Sequence, residues 1–158
     1  MFREITAESI ISDYGAKTAQ AIQALEKLSP GNNIDRLRCI CSLYDLVVQQ
    51  GSLQKAWTEI ETRVRAERPS NQTDLVRIAV EERGRKASPQ WQADAVSRRI
   101  GILKGVPFTV GDRQRANIQF YMLRDVRVTS VDRLVAGDLA PELKRVRVAV
   151  ATGNTLLA

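Results

Sequence analysis

Apolar residues in the first 68 positions recur every three or four residues, and turn signals cut that pattern into three pieces. No other feature of the chain constrains its fold so tightly. From Thr6 to Leu28, the residues Ile10, Tyr14, Ala21, Ile22, Leu25 and Leu28 fall on one helical stripe. Ser29-Pro30-Gly31-Asn32 stops it. Asn33 is placed to cap a second helix, with Asp35 in its first turn favouring the dipole. Leu37, Ile40, Cys41, Tyr44, Val47 and Val48 form its core face, and Gly51 stands where a helix-ending glycine belongs. Ser52 is expected to cap a third helix, with Leu53, Ala56, Trp57, Ile60 and Val64 inward and Arg68-Pro69 as its end. Three amphipathic helices with short joints predict an antiparallel bundle.

The pattern continues into the second half. A fourth helix is expected from about Gln72 to Arg83, with Leu75, Ile78 and Ala79 inward and Gly84 as the stop. Ser88-Pro89 opens a fifth, because Ser can cap and Pro is tolerated at the first helical position. That helix holds Trp91, Ala95, Val96, Ile100 and Leu103 and ends near Gly105. Trp57 and Trp91 read as core anchors, since each lies on an apolar stripe.

Beyond Gly105 two periods compete. Gly111-Asp112 marks a turn after a short apolar run. Ile118, Tyr121, Met122 and Val126 suit a helix, while Ile118, Phe120 and Met122 alternate like a strand. Asp138, Pro141 and Glu142 signal a helix start, yet Val146, Val148 and Val150 alternate with Arg145, Arg147 and Ala149. Residues 116–128 and 143–151 stay open between helix and strand. The expectation is a mainly α single domain over 1–158. It is a helical bundle of five to seven helices, with room for a small strand pair in the C-terminal third.

Charge divides the chain. Residues 1–79 hold ten Lys/Arg and ten Asp/Glu, whereas residues 80–158 hold fourteen and eight, which accounts for the formal +6. Residues 1–68 are thus a neutral three-helix part and residues 72–158 a basic part. Such asymmetry suggests that one part packs or assembles while the other meets an anionic partner.

Several chemistries are excluded or unsupported. Histidine is absent, which removes triads with a His base and HExxH zinc enzymes. Cys39 and Cys41 stand two apart on a helix, so they diverge and make no metal pincer. They read as thiols in a reducing compartment. Glu59 and Glu61 also diverge, and Glu81 and Glu82 are expected in solvent. No GxxxxGK[ST] or GxGxxG loop offers a phosphate cradle. The chain is therefore read as non-enzymatic, with no cofactor and no metal. No secretory leader or apolar run of about 18 residues is visible, so a cytoplasmic protein without membrane contact is expected.

The candidate binding residues are basic. Arg83, Arg85 and Lys86 share one joint, Arg98 and Arg99 lie on the fifth helix, and Arg113 and Arg115 flank the Gly111 turn. Arg124, Arg127, Lys144, Arg145 and Arg147 follow. Arginine outnumbers lysine eleven to three after residue 79, and guanidinium forks suit phosphate oxygens. Phe108, Phe120 and Tyr121 lie among these arginines; single-strand stacking would use them, but core packing is the expected role.

The stretch Ala95–Val106 resembles the first helix and turn of a helix-turn-helix, with Ser97 and Gly101 as the small residues. That resemblance implies a recognition helix from Lys104 that carries Thr109 and Arg113. Pro107 would break such a helix at ~3 kcal/mol or more, so a simple helix end is expected instead. The function expected is that of a nucleic-acid-binding accessory or regulatory protein using its basic second half. The alternative is a helical adaptor or inhibitor that binds an acidic protein surface; on the nucleic-acid reading the N-terminal helices serve packing or a homodimer.

Overall fold

The computed structural model describes residues 7–110, 113–115 and 125–128, with side chains for 13–107 and 125–128. It is mainly helical. The order is α1 (Ala7–Leu28), α2 (Leu37–Gln50), a 3-10 turn (Gln54–Ala56), α3 (Trp57–Glu67), α4 (Gln72–Arg85) and α5 (Pro89–Lys104). A hairpin follows: β1 (Phe108–Val110) pairs antiparallel with β2 (Arg113–Arg115), Thr109 opposite Gln114.

Helix α2 lies at the centre and packs against α1, α4 and α5, while α3 packs on α4. The core joins Ile22 and Leu25 of α1, Ile40, Leu43, Leu46 and Val47 of α2, Ile60 and Val64 of α3, and Leu75, Val76, Ile78, Ala79 and Val80 of α4. Each large aliphatic among them stabilises by about 1.5–3 kcal/mol relative to exposure. The stripe read for α3 is buried apart from the half-buried Trp57, but on α2 only Ile40 and Val47 of the stripe are buried. Leu37, Cys41 and Tyr44 are half-buried, Val48 is exposed, and the buried face runs instead through Cys39, Leu43 and Leu46.

The helix ends follow local chemistry at several points. Gly51 closes α2 at φ 83° and its N–H donates to the Val47 carbonyl at 2.8 Å. A left-handed φ of this kind favours glycine. Arg68, before Pro69, ends α3. Pro89 opens α5 without the expected cap bond from the Ser88 side chain, and Gly105 ends it, so α5 runs unbroken through Gly101. A hairpin stands where a recognition helix would begin.

Four expectations need correction. Asn33 does not cap α2, which starts at Leu37. The chain before it is spent on burying Ile34, whose N–H donates to Glu26 Oε1 at 2.8 Å. Ser52 does not open α3 directly. Its Oγ accepts from the Gln54 N–H at 3.3 Å, and the 3-10 turn intervenes. Gly84 does not stop α4 but lies buried within it, because α5 comes so close that a Cβ there would overlap Val96 Cγ2. Trp91 is not a core anchor: it is 55% exposed, whereas Trp57 is half-buried against the core.

The reason for Trp91 is register. Arg38 meets Lys104 and Ser42 meets Arg99, so α2 and α5 run antiparallel. Eight residues take α2 from Ser42 to its end at Gln50, and eight take α5 from Arg99 back to Trp91. Trp91 thus sits at the level where its partner helix stops. The residues of α5 that turn inward are Ala95, Arg99, Ile102 and Leu103. Of the stretches left open between helix and strand, 125–128 is not helical and forms a single antiparallel bridge, Arg127 opposite Arg36, while 116–124 and 143–151 fall outside the described residues, as do Phe120 and Tyr121. The side chain of Phe108 falls outside them too.

Candidate functional site

Of the twelve basic residues singled out above, those with described side chains do not share one surface. Arg83 and Arg99 are corrected from surface to interior, with 3% and 0% exposure. Arg83 donates from Nη2 to the Gln50 carbonyl and from Nε to the Ser52 carbonyl, each at 2.7 Å. It satisfies carbonyls at the C-terminal end of α2, where a cation also suits the dipole. Arg99 donates from Nε to Asp45 Oδ2 at 3.1 Å and from Nη1 to Gln50 Oε1 at 2.7 Å. Burial lowers the proton affinity of both guanidiniums. Arginine is basic enough to stay charged regardless.

Arg98 also turns to α2, with Nη2 3.0 Å from Asp45 Oδ2 and Nη1 3.8 Å from Asp94 Oδ2. Arg85 and Lys86 face outward and pair with Glu82 and Glu59. Glu82 is buried rather than solvated, because Arg63 of α3 reaches it at 2.8 Å. Arg63 and Arg77 tie Glu67 and Glu81 into the same α3–α4 network. The strand β2 carries Arg113 and Arg115. Arg145 and Arg147 lie outside the described residues, as do Arg124 and Lys144.

A basic end emerges instead where α2 starts and α5 stops. Arg38 Nη1 donates to the Lys104 carbonyl at 3.3 Å, which brings a cation from the neutral half beside the hairpin. The segment 125–128 returns to the same place. Leu37 N–H donates to the Val126 carbonyl at 2.9 Å, and Val128 N–H donates to the Asp35 carbonyl at 2.7 Å. Arg36 pairs with Arg127 across this bridge and donates from Nη1 to the Asp125 carbonyl at 3.0 Å. Arg127 has a side chain 71% exposed and lies 3.6 Å from Asp35 Oδ2. The start of α2 and segment 125–128 therefore bring Arg36, Arg38 and Arg127 together with Asp35 and Asp125, at the end of the bundle where α5 stops at Lys104.

Sequence reasoning passed over Arg36 and Arg38 because counting charge by halves cancelled them. Their close spacing at a helix start was the only local signal.

A polar cleft of about 490 Å³ adjoins this end, between the heads of α2 and α4, with Asn33, Asp35, Arg36, Gln72, Asp125 and Arg127 among its lining. Gln72 organises it. Its Oε1 accepts from the Asp35 and Arg36 N–H groups at 3.0 and 2.9 Å, and its Nε2 donates to Asp35 Oδ1 at 2.8 Å. Its cations are thus matched by carboxylates, which leaves the exposed positive charge to the neighbouring surface.

Burial pushes the Cys39 thiol up to about 11 and the Cys41 thiol up to about 12, so neither is a thiolate nucleophile at neutral pH. Among the described residues, no group of three or more His, Cys, Asp or Glu could hold a metal ion. No helix among them is long and apolar enough to cross a membrane. Comparison with protein-family models, with curated proteins and with solved structures finds no match.

Proposed function

We propose that the protein is a non-enzymatic nucleic-acid-binding accessory or regulatory protein, and that its basic end carries the phosphate contacts. The observation behind this is the contact between Arg38 and the C-terminus of α5, which gathers cations from both halves beside the hairpin. Arg36, Arg38, Lys104 and Arg127 come from three separate stretches of sequence, and the Arg38–Lys104 contact and the bridge between Arg36 and Arg127 bring those stretches to the same end of the bundle. Neutralising phosphates releases counterions, which drives association without base contacts. A recognition helix is absent from the described residues, so backbone positioning is the mode this end suits.

The test uses Lys104→Ala with Arg127→Ala, two exposed side chains whose loss spares the core. Affinity for mixed-sequence oligonucleotides should fall whatever the sequence, and the salt slope should flatten by about one unit for each phosphate that is no longer neutralised. Micromolar protein that shifts no oligonucleotide at low salt overturns the proposal. Salt-dependent binding to an acidic protein alone would favour an adaptor.

A further inference from the structure

Trp91 stands out among the exposed apolar residues. It is 55% exposed in the first turn of a well-anchored helix. Its backbone is fixed. Pro89 opens the helix, the Trp91 N–H donates to the Ser88 carbonyl at 2.8 Å, and Gln92 Nε2 donates to the Arg85 and Ala87 carbonyls at 2.9 and 3.0 Å. The indole keeps a large apolar face in water, and its backbone has little entropy left to lose on binding. The joint just before it carries Arg85, with a side chain 61% exposed, and Lys86, with a side chain 38% exposed. The Lys86–Glu59 pair is exposed on both sides and contributes little, so a phosphate can replace Glu59 at small cost, and the buried Glu82 keeps Arg63 when Arg85 turns to a phosphate.

An exposed aromatic face that follows a joint of solvent-facing cations is the kind of arrangement that holds a base and its backbone phosphate. A paired base in a duplex hides its face in the stack, so only an unpaired base offers this ring a surface. We infer that the nucleic acid taken is single-stranded and that Trp91 is the platform on which one of its bases stacks, with Arg85 and Lys86 on the flanking phosphates. This inference rests on the nucleic-acid reading above and adds a second contact region. The thirteen residues from Trp91 to Lys104 place it about 20 Å along α5 from the basic end.

The experiment is fluorescence anisotropy with a labelled 20-mer of thymidine and a duplex of equal length. It is run on the intact chain and on Trp91→Ala, Trp91→Leu and Trp91→Phe, with melting temperatures recorded. Trp91→Ala and Trp91→Leu should bind the single strand about 5- to 150-fold more weakly. Trp91→Phe should stay within about threefold of wild type, since a ring still stacks. All three should melt within a few degrees of wild type. Leucine keeps the apolar bulk without the ring, so equal binding by Trp91→Leu and wild type overturns the platform. A melting temperature that falls in step with affinity overturns it too, by making Trp91 a structural residue. In either case, weakened binding by the Lys104→Ala and Arg127→Ala double variant leaves the broader reading standing. If wild type binds no oligonucleotide, both readings fall together.

Discussion

Arg99 places its Nε 3.1 Å from Asp45 Oδ2, although the Arg99 side chain has no solvent-exposed surface. The same carboxylate oxygen takes Arg98 Nη2 at 3.0 Å. One acid on the central helix therefore neutralises two cations of α5, and Arg99 Nη2 still lacks a hydrogen-bond partner among the described residues. Truncating one side of a buried pair costs far more than the pair contributes, because a charge is stranded. Asp45→Ala should lower unfolding stability by about 3–5 kcal/mol. Arg99→Met should cost less, about 1–2 kcal/mol, since Asp45 keeps Arg98 and a buried charge is removed. Urea denaturation of both variants checks the order; a larger loss for Arg99→Met contradicts this account of the pair.

Gly84 and Val96 test the approach of α4 to α5. A Cβ at Gly84 overlaps Val96 Cγ2, so Gly84→Ala should destabilise by about 1–3 kcal/mol despite its better helix propensity. Pairing it with Val96→Ala should recover part of the loss, because the clashing methyl is gone. Additive losses in a double-mutant cycle would mean that the two residues do not touch.

The two tryptophans should separate in stability. Trp57 packs against the core and its truncation to Ala should cost about 3 kcal/mol. Trp91, exposed beyond the end of α2, should cost under about 1 kcal/mol. Calorimetric melting of each Ala variant measures the difference.

The thiols set an alkaline limit. Burial raises the folded proton affinity of Cys39 to about 11 and of Cys41 to about 12, from an ordinary value of 9.0. The unfolded chain therefore loses these protons first as pH rises. Their contribution to stability is whole below pH 9 and is lost progressively as pH climbs toward 11–12. Alkylation of the native protein at pH 8.5 should be slow and should accelerate in urea. Rapid native alkylation at that pH would show the thiols to be accessible.

Local chemistry written in the chain determined the helices: the three-to-four spacing, Gly51, Arg68-Pro69, Pro89 and Gly105 act within one turn of themselves. It also left room for a small strand pair after Gly105, without setting its register, in which Thr109 of β1 stands opposite Gln114 of β2. Tertiary structure decided which charged and aromatic residues face water. Periodicity puts Trp91 and Arg99 on one stripe of α5 with Ala95. It carries no information about whether a partner helix lies opposite at each level, and α2 stops at Gln50. The partner of Arg99 is 54 residues away, and Arg38 meets Lys104 across 66. A pairing at that distance is set by how helices stack, and Coulomb attraction acts through space rather than along the chain. For the same reason a neutral count over the first half concealed Arg36 and Arg38, which the fold delivers to the basic end.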